Sequence, residues 1–303
     1  MKKNRQWKKW IPIYILGLPG ILYLLINNYM PLYGLLIAFK DYNYSLGVWK
    51  SPFVGFQNFE YLFKTKDAWV ITRNTIGYNL LFILLNTVIG VALAIFLNEV
   101  RKKVSKKIYQ TAILLPYLMS MVVVSYLAYI FLGDRTGMIN HLLTSLGLPP
   151  VKFYMTKTYW PLILTFVNEW RNIGYGTIIF LASIVGISES YYEAAELDGA
   201  TKWQQIKLIT VPLLKPTVIM LVTLSMGNIF RSDFGLFYQV PRNQGMLFSV
   251  TNTIDTYVYR ALLQSGDISL SSAAAFYQSA VCFITIIIFN NIIKKYSKEN
   301  ALF

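Results

Sequence analysis

Six long apolar runs decide most of what this chain can become. They cover about 11–39, 74–97, 108–132, 159–187, 216–237 and 273–293. Each, apart from the polar end of the fifth, reaches the ~20 residues that a bilayer core requires. Backbone N–H and C=O groups inside lipid find no water, so a run of that length is stable there only as a helix. The expected fold class is therefore an all-α membrane protein with six transmembrane helices, forming one domain over residues 1–303. Composition agrees: 14% of the residues are charged, where a soluble domain carries about 25%.

The flanks of the runs carry further information. Lys2, Lys3, Arg5, Lys8 and Lys9 precede the first run, which is long and lacks a small-residue cleavage pattern, so it reads as an uncleaved span. Pro12, Pro19 and Pro31 should kink or fray it. Residues 40–73 read as an interfacial loop with one short helix. Lys and Arg in alternate loops number 16 on the side of the N-terminus and 11 across longer loops on the other. The positive-inside rule then places both termini and the segment 188–215 in the cytoplasm.

The net charge of +14 could suggest nucleic acid, but the basic residues bracket apolar runs and form no single stripe, which argues against that partner. One cysteine, Cys282, excludes an internal disulfide and a cysteine-cluster metal site. One histidine, His141, expected in a loop, argues against histidine catalysis or zinc, and no metal site is expected. No Gly-x-x-x-x-Gly-Lys-Ser/Thr occurs, so any ATP that drives this chain must bind another polypeptide. A secondary carrier lacks recognisable inverted halves here, and an enzyme lacks a clustered catalytic set.

The most informative polar island is 188–215. Ser190 with Glu193, and Thr201 with Gln204, each have the spacing of a capping box, which predicts two short helices. Gly199 lies between them, where a left-handed cap would suit glycine. Pro212 is expected to end the second helix and Pro216 to open the next span. The pattern Glu193-Ala194-Ala195, three residues, Gly199, nine residues, Ile209, two residues, Pro212 closely resembles the coupling loop of the permease subunits of bacterial ABC importers. That resemblance implies a type I ABC importer permease fold in the cytoplasmic (inner) membrane. It also implies a loop that docks into an ATPase subunit through Glu193, Ala194, Ala195, Asp198, Gly199, Trp203, Ile209 and Pro212.

A second polar feature lies inside the fourth run. On a helical projection Thr165, Asn168, Glu169, Asn172, Tyr175 and Gly176 share an arc of about 120°. Counted from Tyr159, they lie roughly 10–25 Å deep. Sugars need amide and carboxylate partners plus an aromatic platform, and this stripe supplies those types. The same groups would also serve a polar helix–helix contact, with Glu169 and Arg171 as a structural ion pair. Asn228, Arg231 and Asp233 at the end of the fifth run could line a cavity mouth or anchor at the headgroups.

Further stretches narrow the resemblance. Phe39-Lys40-Asp41-Tyr42, Gly55-Phe56-Gln57-Asn58-Phe59 and Phe234 to Val240 look like carbohydrate-uptake permeases. Ile254 to Arg260 and Ala301-Leu302-Phe303 resemble the LplB-type branch, associated with oligo- and polysaccharide uptake. The implied partners are a second similar permease, two ATPase subunits, an extracytoplasmic sugar-binding protein and the bilayer, with an oligosaccharide as substrate. No cofactor is implied for this chain, since ATP and Mg would belong to the ATPase subunits. Alternatives are an ABC permease for a non-sugar solute such as an amino acid, phosphate or peptide, or an ATP-independent secondary carrier.

Overall fold

A computed structural model describes residues 3–264, 266–296 and 299. Lys2, Lys298 and the terminal Ala301-Leu302-Phe303 lie outside the described residues. The described residues form helices and turns, with one isolated β-bridge between Lys40 and Phe53. Four helices are long and apolar enough to cross a bilayer, or six when each of two bent helix pairs is one span. The chain falls into two compact units.

The first unit comprises residues 1–65 and 258–277. Helix α1 (Lys3–Leu24) runs through both Pro12 and Pro19 without breaking. The irregularity comes later, as a π-turn at Leu25–Tyr29 and a 3-10 stretch at Met30–Phe39 that begins beside Pro31. The expected single loop helix is two, α2 (Gly47–Lys50) and α3 (Gln57–Lys64). Phe39 packs against the rings of Phe56, Phe59 and Phe276 at 5.3–5.4 Å. Asn58 donates from Nδ2 to the carbonyls of Ala38 and Lys40 at 3.0 and 2.9 Å. The two aromatic family stretches are thus halves of one locked corner.

The second unit comprises residues 66–257 and 278–303. Its frame is α4 (Lys66–Glu99), α5 (Lys103–Leu114), α6 (Met121–Leu132), α7 (Met138–Ser145) and α8 (Trp160–Val185). The expected straight third span is broken, with α5 and α6 meeting at 98°. Pro116 opens a 3-10 turn between them, and Ser120 caps α6 by accepting from Val123 N. His141 sits within α7, not in a loop. Then follow α9 (Glu189–Leu197), α10 (Lys202–Gln205), α11 (Val211–Met226) and α12 (Phe248–Thr251), while α13 (Ile254–Gln264) and α14 (Ile268–Tyr296) each contribute residues to both units.

Helices α4 and α8 run side by side in the same direction, Asn86 beside Glu169 and Gly90 beside Phe180. Parallel neighbours separated by one intervening bent pair are what alternate crossings of a membrane produce. Two apolar clusters grip α8 at its ends. Tyr78, Phe82, Trp160, Leu164, Val167 and Phe237 belong to one, while Ala94, Leu97, Phe180, Leu181, Ile184 and Leu214 form the other. Gly174 permits the close approach of α5, since a Cβ there would lie 2.0 Å from the Ile113 carbonyl oxygen.

The fifth span also differs from expectation. Lys202–Met226 is one continuous helical rod, carried through Pro212 by a π-turn at Ile206–Thr210. Pro212 is the second residue of α11, directly after the π-turn, and Pro216 lies inside the helix. The rod ends at Met226, so Asn228, Arg231 and Asp233 belong to the turns beyond it. A π-turn at Gly235–Gln239 follows.

Candidate functional site

Between its two apolar clusters, α8 borders a groove of about 450 Å³ shared with α4, α11 and the turn after α11. Asn168, Asn172 and Tyr175 of the predicted stripe line it, together with Asn228 and Arg231. Thr165, Glu169 and Asp233 do not. The Thr165 hydroxyl turns back to the Pro161 carbonyl at 2.7 Å, as helical threonines do when no other acceptor is near. Glu169 is only 9% exposed, and its Oε1 accepts from Asn86 Nδ2 at 3.0 Å and Asn168 Nδ2 at 3.1 Å. Its Oε2 is buried without a hydrogen-bond partner.

The suggested Glu169–Arg171 ion pair is not formed. Arg171 turns to Asp233 instead, at 3.5 Å, and lies over the ring of Tyr117 at 5.8 Å. Adjacent helical positions point about 100° apart, so these two side chains have different neighbours. Asn172 donates to Asn168 Oδ1 at 3.0 Å, which extends one amide chain from Asn86 on α4 along α8. Tyr175 stacks on Tyr117 at 5.1 Å and 15°, forming an aromatic wall.

Several groove residues escaped the sequence reading. Asn79, Asn86 and Thr87 on α4, and Tyr117 in the bent pair, line the same space. Asn79 and Asn86 lie seven residues apart in an apolar helix, a spacing that puts both on one face. That was the available signal. The turn bearing Arg231 is held from outside the rod. Asn79 Nδ2 donates to the carbonyls of Ile229 and Arg231 at 2.8 Å, while Asp255 Oδ2 accepts from Ser232 N at 2.7 Å and from its hydroxyl at 2.8 Å.

The segment 188–215 forms a second feature. Helix α9 begins at Glu189, with Ser188 at the cap position and no side-chain cap bond. The expected Ser190–Glu193 capping box is therefore absent. The helix starts one residue before Ser190, whose hydroxyl instead bonds Ser188 Oγ at 2.8 Å. At the other end Gly199 has φ +76°, and Ala200 N reaches Ala195 O at 2.8 Å while Gly199 N reaches Glu196 O at 3.0 Å. This is a Schellman stop, which glycine enters without strain. The Thr201–Gln204 capping box is present in both directions.

The turn is tied across its own angle. Lys202 Nζ donates to Glu196 Oε1 at 2.7 Å, and Tyr192 shares a 2.9 Å bond with Thr210. The Lys202 hydrogen bond holds the Glu196 carboxyl below its ordinary value. Glu193, Ala194 and Ala195 lie on α9, Asp198 caps its end, Trp203 lies on α10, Ile209 sits in the π-turn and Pro212 is the second residue of α11. Leu197 is 90% exposed and Trp203 70%.

Residues 86–298 match the family described as "Binding-protein-dependent transport system inner membrane component". The chain belongs to that family. It is the membrane-embedded permease component of an ABC importer, an inner-membrane protein with several spans. Protein LplB of Bacillus subtilis (strain 168) is 36% identical over 291 residues, covering 96% of this chain and 90% of LplB. YteP of the same organism, a polygalacturonan/rhamnogalacturonan transport system permease protein, is 33% identical over 292 residues, covering 95% and 89%. A crystal structure of a bacterial ABC transporter that imports the acidic polysaccharide alginate contains a chain with a TM-score of 0.89 and 30% identity, covering 98% of this permease and 100% of that chain. The alginate transporter in complex with its pentasaccharide-bound periplasmic protein gives 0.87 and 31%.

Proposed function

We propose that this permease carries an oligosaccharide or a fragment of a polysaccharide into the cell, and that the groove on α8 is part of its path. The observation that carries the reading is the groove itself: amides on α4, α8 and the turn after α11, beside a stacked tyrosine wall. Sugars present hydroxyls that pair with amides and C–H faces that lie on aromatic rings. The whole-chain likeness to a permease named for polygalacturonan/rhamnogalacturonan transport and to a chain of an alginate importer supports the same cargo class. Sugar uptake by the purified complex, measured in vesicles over a panel of acidic and neutral oligosaccharides, tests it. Uptake of amino acids, phosphate or peptides in place of every sugar would refute it.

In this reading a second homologous permease, two ATPase subunits and an extracytoplasmic sugar-binding protein complete the importer. ATP is hydrolysed on the ATPase subunits, and the knob at 188–205 transmits their closure. Its build supports that role: a Schellman turn, a capping box and cross-ties make it rigid, and Trp203 and Leu197 leave apolar surface for a protein neighbour. The knob continues without interruption into the rod Lys202–Met226, so a push on it tilts a wall of the groove.

Both termini and the knob are cytoplasmic in this scheme, as the distribution of Lys and Arg supports. Cysteines placed at Lys103 and Lys202 should react only with reagents that enter the cytoplasm, and one at Gly147 from outside. External labelling at Lys202 in intact cells would reverse the topology.

A further inference from the structure

The charge balance of the groove follows from which polar side chains the packing withdraws from it. Two carboxylates, Glu169 and Asp233, neighbour its lining residues in the chain, and neither lines it. Glu169 is buried between α4 and α8, with Oε1 occupied by the Asn86 and Asn168 amides. Asp233 receives the backbone N–H of Leu236 at 3.1 Å through one oxygen and faces Arg171 at 3.5 Å through the other. The charged side chain that does line the groove is Arg231. Among the described residues no carboxylate lies within ion-pair distance of its guanidinium.

Arg231 is also held in place. Asn79 clamps its backbone carbonyl at 2.8 Å, and Asp255 ties down Ser232, the next residue. Arg231 is exposed in this turn, so a fixed backbone carries a cation that is open to an anionic solute. A neutral sugar would need only the amides. A sugar carboxylate can take both N–H edges of a guanidinium, the strongest pairing open to it.

We propose that the groove is selective for acidic oligosaccharides, with Arg231 receiving a carboxylate of the passing cargo and Asn168, Asn172 and Asn228 meeting its hydroxyls. This rests on the oligosaccharide reading above and adds the charge of the cargo to it. Glu169 and Asp233, turned away on their own partners, leave the path free of an exposed anion that would repel it.

The test is uptake by the full importer in vesicles, comparing short oligogalacturonides and oligomannuronates with their neutral methyl esters. The ratio of acid to ester uptake is measured for the native complex and for Arg231 variants with the same binding protein, so that protein's own preference cancels. Arg231→Gln should lower acid uptake about tenfold, as loss of one charge-assisted pair would, while ester uptake changes little. Arg231→Lys, which keeps the charge but loses the two-edged fork, should fall between the native complex and Arg231→Gln, which separates lost charge from lost fold. An unchanged acid-to-ester ratio in Arg231→Gln would overturn the proposal, as would native uptake confined to neutral sugars; both leave the oligosaccharide reading standing. Native uptake of no sugar, acidic or neutral, would remove that reading and this inference together.

Discussion

Trp203 and Leu197 stand exposed at the tip of the knob, whereas Asn168 and Glu169 are buried inside the bundle. The polarity of a soluble protein is thus inverted at both places, for different reasons. In the knob, short-range bonds build the shape: a Schellman stop at Gly199, a capping box at Thr201 and a side-chain tie from Lys202 to Glu196. Apolar side chains can remain outside because the fold of the knob does not need them. In the groove, α8 ties Asn172 to Asn168 by itself, but the rest depends on partners far away in the chain. Asn86 fixes the Glu169 carboxylate that holds Asn168, and Asn79 fixes the turn at Arg231. A local device tolerates distant change, and a tertiary one does not.

Two glycine substitutions should separate the two regions most sharply. Gly174→Leu would drive a side chain into the backbone of α5, where even a Cβ would be 2.0 Å from the Ile113 carbonyl oxygen. Overpacking of this kind costs about 1–3 kcal/mol or more, so the yield and melting temperature of the permease should fall together. Gly199→Val would impose about 1–2 kcal/mol of left-handed strain, confined to the knob. The spans should stay folded while ATP hydrolysis ceases to follow transport. Equal loss of folded protein in both variants would erase the distinction.

Inside the groove, Asn172→Leu and Tyr175→Ala should each depress uptake, by about tenfold where a cargo hydrogen bond or stacking face is lost. The yield of assembled complex should remain near normal. If complex yield falls instead, these residues serve helix packing and the groove has no part in the path.

Within the knob the effects are smaller and graded. Thr201→Ala removes an observed cap and should cost about 1 kcal/mol of local stability, visible as faster amide exchange around α10. Glu193→Ala removes no cap, because α9 starts without one. It should leave exchange unchanged and weaken only the retention of the ATPase subunits. Slower or faster exchange in Glu193→Ala would restore the capping role that the structure takes away.

The smallest effect concerns pH. Because the folded Glu196 carboxyl titrates below its unfolded value, its bond to Lys202 contributes at neutral pH and is lost as pH falls through the folded value. Both side chains are exposed, so the change should be slight and sensitive to salt. Glu196→Gln should flatten whatever acid dependence amide exchange in the turn displays.

The sequence alone determined the features that short-range chemistry decides. Apolar length dictated helices in a membrane, and the Thr201–Gln204 spacing with Gly199 dictated a two-helix turn. Residue types at fixed spacing marked the family. Local signals misled in two places. The Ser190–Glu193 spacing suggested a cap where α9 already begins after Ser188, and Pro212 suggested a stop where a π-turn lets the rod continue. Tertiary structure alone decided which polar groups face the groove. A projection of α8 ranked Thr165, Glu169 and Asn172 together, since it knows only angle. It took α4 to bury Glu169 against Asn86, and the turn after α11 to draw Arg171 onto Asp233 and leave Arg231 on the groove wall. The physical reason is reach. A cap is satisfied within four residues, but a buried polar side chain takes its direction from whatever donor the packing brings to it, and that donor can lie anywhere in the chain.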